Sequence, residues 1–185
     1  MAEEKKNNRR GRKAYLNDFK STVNGEYIYA GAHYLLAGGE AAGKALPRRL
    51  WLLTLPLAVG AVAGGCIRAP GAMDCFYVLG PYIAALISAV SLVWALCRMG
   101  GGGARLREYV YRHSVDAIPS RAVITAVFAG LALAGEVLYV LLNGTEGMAL
   151  GMVLFLLSMG ATLAAALGQR LLIVRSQWTV QDGQN

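Results

Sequence analysis

Along most of this chain, long uncharged stretches alternate with short clusters of cations. With the charges used as punctuation, four apolar runs stand out. The first, residues 50–67, lies between Arg49 and Arg68, and the second, 76–97, lies between Asp74 and Arg98. The third, 122–142, follows Arg121 and holds one charge, Glu136; the fourth, 148–168, falls between Glu146 and Arg170. A helix rising about 1.5 Å per residue needs about 20 residues to cross a hydrocarbon core of ~30 Å. All four runs are near that length and apolar on every face, which a buried helix of a soluble domain rarely is. The pattern predicts an all-α integral membrane protein with a four-helix membrane domain over residues 50–168.

The polar segments between and around these runs suggest smaller elements. In the loop 98–121, the glycines Gly100–Gly103 cannot easily prolong the second helix. Beyond them, Ala104–Val115 places Leu106, Tyr109, Val110 and His113 on one helical face, with Arg105, Arg107, Glu108 and Arg112 mostly elsewhere. That spacing predicts a short amphipathic helix, suited either to the membrane surface or to a groove on a partner. Leu106, Tyr109, Val110, Arg105 and Arg112 are its candidate docking residues. Pro119 suits the first turn of the third span, where a missing N–H costs nothing.

The N-terminal region divides in two. Residues 1–13 are polar and basic and read as a disordered tail; residues 14–49 read as a cytoplasmic or interfacial segment. Within it, Asn24-Gly25 precedes Glu26-Tyr27-Ile28-Tyr29 and signals a small β-hairpin. The same region also fits an interfacial helix with Tyr27, Gly31, Tyr34 and Leu35 on one side, a reading its glycines weaken. Residues 169–185 read as a tail.

Composition agrees with the membrane reading: 56% of the 185 residues are apolar and 16% are charged, against about a quarter charged in soluble domains. The net charge of +7 raises the question of nucleic acid, but no zinc-finger or RNP motif accompanies it. The placement of the cations gives it a different meaning. The N-terminal fifty residues carry ten Lys or Arg, the middle loop five and the C-terminal tail two, whereas the two opposite loops hold Arg68 alone. Seventeen cations against one predict that both termini and the middle loop are cytoplasmic. No lipidation or retention signal suggests another address, so the expected location is a bacterial cytoplasmic membrane. The first apolar run starts too far from Met1 for a secretory signal peptide. Ala63-Gly64-Gly65-Cys66 departs from a lipoprotein cleavage box, and the Asn143-Gly144-Thr145 sequon sits in a loop too short to be a good acceptor.

Few residues carry candidate chemistry. Helices in lipid associate through close backbone approach and polar contacts. Small residues recur at four-residue spacing: Gly60 and Gly64; Ala126, Gly130 and Ala134; Gly160, Ala164 and Gly168. These rows suit packing within the bundle or against another subunit. Glu136 is the one formal charge deep in a span, and such a carboxylate is costly unless it has a partner, a cavity or an ion to serve. It is expected to be structural, reaching the outer headgroup zone or bonding to Tyr139, Ser158 or Thr162, or else to contact a partner or substrate, or to line a proton or cation path. Cys66 and Cys75 flank the first external loop and are candidates for a structural disulfide. With two histidines and no phosphate-binding loop, dinucleotide fingerprint or metal-ligand cluster, neither a cofactor nor a catalytic residue is expected. The chain therefore reads as a non-enzymatic accessory or scaffolding subunit of a larger membrane complex such as a transporter. Its expected partners are the bilayer and another integral membrane protein or further copies of itself. The alternative is a small oligomeric proton- or cation-coupled transporter or channel that uses Glu136.

Overall fold

The computed structural model describes residues 19–21, 27–29, 32–99, 105–145 and 147–181. The tail 1–13, the Asn24-Gly25 turn and the Gly100–Gly103 run lie outside the described residues. In chain order the elements are β1 (Phe19–Ser21), β2 (Tyr27–Tyr29), β3 (His33–Leu36), α1 (Gly39–Cys66), α2 (Pro70–Asp74) and α3 (Phe76–Met99). There follow β4 (Arg105–Arg107), α4 (Glu108–His113), α5 (Ile118–Asn143), α6 (Ala149–Arg175) and β5 (Trp178–Gln181).

The structure is mostly helical, and four helices, α1, α3, α5 and α6, are long and apolar enough to cross a membrane. They form a closed ring in which α1 packs on α6, α6 on α5, α5 on α3 and α3 back on α1. The bundle buries many small and polar side chains beside a few large apolar ones such as Leu57 and Phe155, and it leaves many other large apolar side chains exposed. Ala85, Ala122, Ala129, Ala132 and Ala166 are fully buried, whereas Leu52, Leu55, Ile87, Leu141 and Leu157 are exposed. So much exposed apolar surface is unlike a soluble bundle, and it suits helices whose surroundings are as apolar as leucine.

The helices run beyond the apolar runs that reveal them. The first begins at Gly39 rather than residue 50, and the last continues to Arg175, well past residue 168. Pro47 and Pro56 both lie inside α1, and Pro81 lies inside α3. Pro119 occupies the first turn of α5, as its missing N–H favours.

The β structure exceeds expectation. The hairpin forms, with β1 antiparallel to β2 and Ser21 opposite Tyr27; the interfacial helix weighed against it does not. A second sheet of three antiparallel strands, ordered β4-β3-β5, was not foreseen. Its central strand pairs Tyr34 with Leu106 on one side and with Val180 on the other. The sheet therefore joins the N-terminal segment, the middle loop and the C-terminal tail at one end of the bundle. Leu36 and Leu106 are buried beneath it, and Leu106 belongs to the same apolar core as Leu50, Val115, Ile118 and Ile173. On the same face, the Tyr34 and Tyr111 rings stack at 3.9 Å, and Trp178 meets Tyr111 edge-on at 5.3 Å, with Tyr111 and Trp178 packed against that core.

The amphipathic helix expected over Ala104–Val115 is thus corrected. Arg105, Leu106 and Arg107 form a strand, exposed, buried and exposed in turn, and the helix is confined to Glu108–His113. An Arg-Leu-Arg alternation has the period of a strand, and the free edge of β3 gives it a partner.

Candidate functional site

At the opposite end of the bundle, the loop between α1 and α3 folds down onto the helices instead of standing away from them. Glycines make this possible. A Cβ on Gly71 would lie 2.7 Å from Glu136 Oε2 and 2.9 Å from Tyr139 Cβ, and one on Gly135 would lie 3.0 Å from the Tyr77 carbonyl oxygen. Gly151 lies against the Arg68 carbonyl more closely still. Glu136 is the focus of this region. Its side chain is completely buried on α5, and Oε1 accepts a hydrogen bond from the Gly71 N–H at 3.3 Å. The Ala72 amide also faces the carboxylate, while Oε2 makes no hydrogen bond of ordinary geometry. The first turn of α2 has no side-chain cap from its own N-cap residue, Ala69. Glu136 supplies an acceptor there from across the bundle, tying the loop to α5. Ser158 and Thr162, expected as partners, are engaged elsewhere: Ser158 donates to the Phe155 carbonyl, and Thr162 to those of Ser158 and Leu57.

Cys66 and Cys75, one on each side of this loop, are both free thiols, as is Cys97. The bridge expected between the first two is not formed; α2 and the Glu136 contact hold the loop without it.

The glycine rows prove unequal. A Cβ on Gly60 would lie 2.5 Å from the Ser158 carbonyl oxygen, and one on Gly64 would lie 2.7 Å from Met159 Cε. Those two residues set the approach of α1 to α6. Gly168 is moderately close, with Leu53 Cδ1 at 3.1 Å, and Gly130 is in ordinary contact with Leu163 at 3.4 Å. Gly160 has nothing within 4 Å and takes no part in packing the bundle. The same α1–α6 seam carries polar contacts that spacing did not single out: Gln169 Nε2 donates to Thr54 Oγ1 at 2.8 Å, with both residues buried. Elsewhere Tyr82 donates to the Ala61 carbonyl at 2.9 Å, and Arg121 donates to the Ser91 carbonyl at 2.8 Å. Bonds of this kind join α1 to α6, α1 to α3 and α3 to α5.

The candidate docking residues are split by the strand–helix break. Leu106 is buried under the sheet, so it is closed to a partner. Arg105 and Tyr109 are exposed, Val110 is half-buried against the core, and Arg112 pairs with Glu108 at 2.6 Å. His113 is exposed, its Nδ1 3.0 Å from the Tyr109 carbonyl oxygen. Burial, with Asp116 and Tyr34 adding to it, raises the Tyr111 hydroxyl above the ordinary tyrosine range. Among the described residues, no group of three His, Cys, Asp or Glu side chains converges as metal ligands would.

Comparison of the chain with family models, curated proteins and solved structures finds no match.

Proposed function

We propose that this chain is a non-enzymatic, multi-pass subunit of a bacterial cytoplasmic membrane, with both termini and the middle loop in the cytoplasm. In this reading it is an accessory or scaffolding subunit that binds another integral membrane protein, such as a transporter component. The observation that carries the reading is the three-stranded sheet, which gathers the N-terminal segment, the middle loop and the C-terminal tail at one end of the bundle. Those are the segments that hold seventeen of the eighteen cations, and the positive-inside rule assigns such an end to the cytoplasm. A sheet pinned to the bundle by Leu36, Leu106 and a stack of aromatic rings is a firm platform rather than a set of loose tails. Firm platforms lose little entropy when a partner docks.

Affinity purification of the full chain from native membranes in mild detergent tests the proposal. Recovery of a foreign integral membrane protein in fixed stoichiometry supports it. A pure homo-oligomer that conducts ions in liposomes with a pH dependence overturns it in favour of the transporter reading. One observation favours that alternative: Glu136 Oε2 is buried without a hydrogen bond. Against it, Glu136 is the only buried carboxylate or cation among the described residues, and its other oxygen is bound to the loop. A relay has no second station.

A further inference from the structure

The first three turns of α1 carry more cations than a span needs to orient itself, and they border an open cleft. A cavity of about 670 Å³ lies between the start of α1 and the end of α6, with Arg49 and Arg175 at its polar side and Ala41, Ala45, Leu46 and Leu172 among its walls. A second hollow of about 470 Å³ adjoins it, sharing Ala41, Ala45 and Arg49 and adding Lys44, Arg48 and Leu52. The first volume alone is within the ordinary range for small-ligand sites, about 300–1,000 Å³. We infer that this double cleft holds the headgroup of an anionic phospholipid, its phosphate between Arg49 and Arg175 and its acyl chains running down past Leu52.

Charge decides the class of occupant. Lys44, Arg48, Arg49 and Arg175 face the two hollows, and among the described residues that line them none is acidic. The ion pair found among the described residues, Arg112 with Glu108, lies on α4 and neutralises none of them. The carbonyl end of α6 disfavours an anion and the amide end of α1 favours one, so the two helix ends nearly cancel and the four cations set the sign. Arginine forks match phosphate oxygens two at a time. Alanine at positions 41, 42 and 45 leaves the room that longer side chains would fill.

Position decides between a lipid and a free phosphate. Arg49 immediately precedes the apolar run, and Arg175 ends the last helix, which places both guanidinium groups at headgroup depth. Immediately past the cleft, Trp51, Leu52 and Leu55 are exposed, forming an apolar track that a water-soluble anion has no use for. The inference rests on the four helices crossing a bilayer and not on the subunit reading, so either can fail alone.

The test is native mass spectrometry of the full detergent-purified chain, titrated in turn with phosphatidylglycerol, phosphatidylcholine, and inorganic phosphate as the soluble control. The expected result is retention of one phosphatidylglycerol, weak retention of phosphatidylcholine, and no displacement by millimolar phosphate. Removing the cleft's charges (Arg49→Gln with Arg175→Gln) should weaken phosphatidylglycerol binding by about tenfold or more, the effect of losing roughly 1.4 kcal/mol. Removing two cations outside the cleft (Arg98→Gln with Arg170→Gln) should leave it unchanged. Ala45→Trp blocks the hollow with every charge kept, so it should also abolish retention even if the charge variant fails to fold. Equal loss in both charge pairs would reduce the effect to general surface attraction and overturn the site. So would unchanged binding in Ala45→Trp, equal retention of the two lipids, or displacement by phosphate.

Discussion

Replacing Gly60 with alanine adds one methyl group at the tightest point of the α1–α6 seam. Its carbon would lie 2.5 Å from the Ser158 carbonyl oxygen and 2.6 Å from Thr162 Oγ1. An ordinary C···O contact is about 3.3–3.6 Å, so the helices must part by roughly 1 Å locally. A backbone carbonyl has no rotamer to escape into, and parting the helices stretches the bonds that cross the seam. Thr162 to the Leu57 carbonyl is already 3.5 Å, and Gln169 to Thr54 is 2.8 Å. Overpacking of this kind costs about 1–3 kcal/mol. Alanine also favours a helix over glycine by about 1 kcal/mol, which blurs the single measurement. Gly160→Ala supplies the correction, because it sits in the interior of α6 with nothing within 4 Å. It shares the propensity gain and lacks the clash. The difference between the two variants is therefore expected at about 1–3 kcal/mol, or roughly 5- to 150-fold in the unfolding equilibrium. Reversible unfolding by SDS in mixed micelles, followed by the fluorescence of the three tryptophans, measures it. If the two variants agree within about 0.5 kcal/mol, the ordinary scatter for uninvolved positions, then Gly60 does not set the helix approach and the seam is held by something else.

Other outcomes follow from the same structure. Glu136→Ala removes the acceptor for the Gly71 N–H, a loss of about 1–3 kcal/mol for a buried group. It should speed maleimide labelling of the half-buried Cys75 without changing Cys97, while Glu136→Gln keeps an oxygen and should label like the parent; identical Cys75 rates in all three chains would mean the loop is held without Glu136. The raised Tyr111 hydroxyl, shifted chiefly by burial, binds its proton more tightly folded than unfolded. Its contribution is complete below the unfolded value of about 10 and is lost as pH rises through the folded one; Tyr111→Phe should flatten this alkaline loss in a pH series of thermal unfolding, and an unaltered slope would exclude Tyr111 as its source. If the termini lie inside as proposed, impermeant maleimide on intact cells should reach Cys66, exposed at the loop end, and should reach Cys97 only in inverted vesicles. The reverse pattern would turn the molecule over.

The four long helices are legible in the chain because hydropathy reports a bilayer's thickness, and each apolar run is about that long. Their ends are less legible for the same reason. Lys44, Arg48 and Arg49 end the first apolar run but not the helix, which continues among them back to Gly39. Hydropathy marks where the oil begins, not where the hydrogen bonds stop. The strand at Arg105–Arg107 is three residues long, too short for a period of two to be told from 3.6. Its partners are distant in sequence, so no local pattern announces them. Four-residue spacing identifies a face of small residues but not the direction it looks, and so Gly60 and Gly160 read alike while only Gly60 is pressed against a neighbour. Gly71 and Gly135 belong to no such row, Gly151 has only Gly147 four residues before it, and only the folded loop reveals their use. Glu136 was recognisable as costly from its place in a span; the Gly71 amide that receives it was not.

The strand order β4-β3-β5 also has a consequence for how the chain is made. Strand β3 leaves the ribosome early, its first neighbour comes from the middle of the chain, and its second from Trp178–Gln181, near the C-terminal end of the described residues. Both pairings have high contact order, and the second cannot form until the last helix has been released. Until then β3 presents an open edge, the feature that invites wrong partners. A chain truncated before Trp178 would keep all four long helices and still display that edge. The sheet thus registers whether translation has passed Gln181, and the nascent protein is exposed to misassembly until that moment.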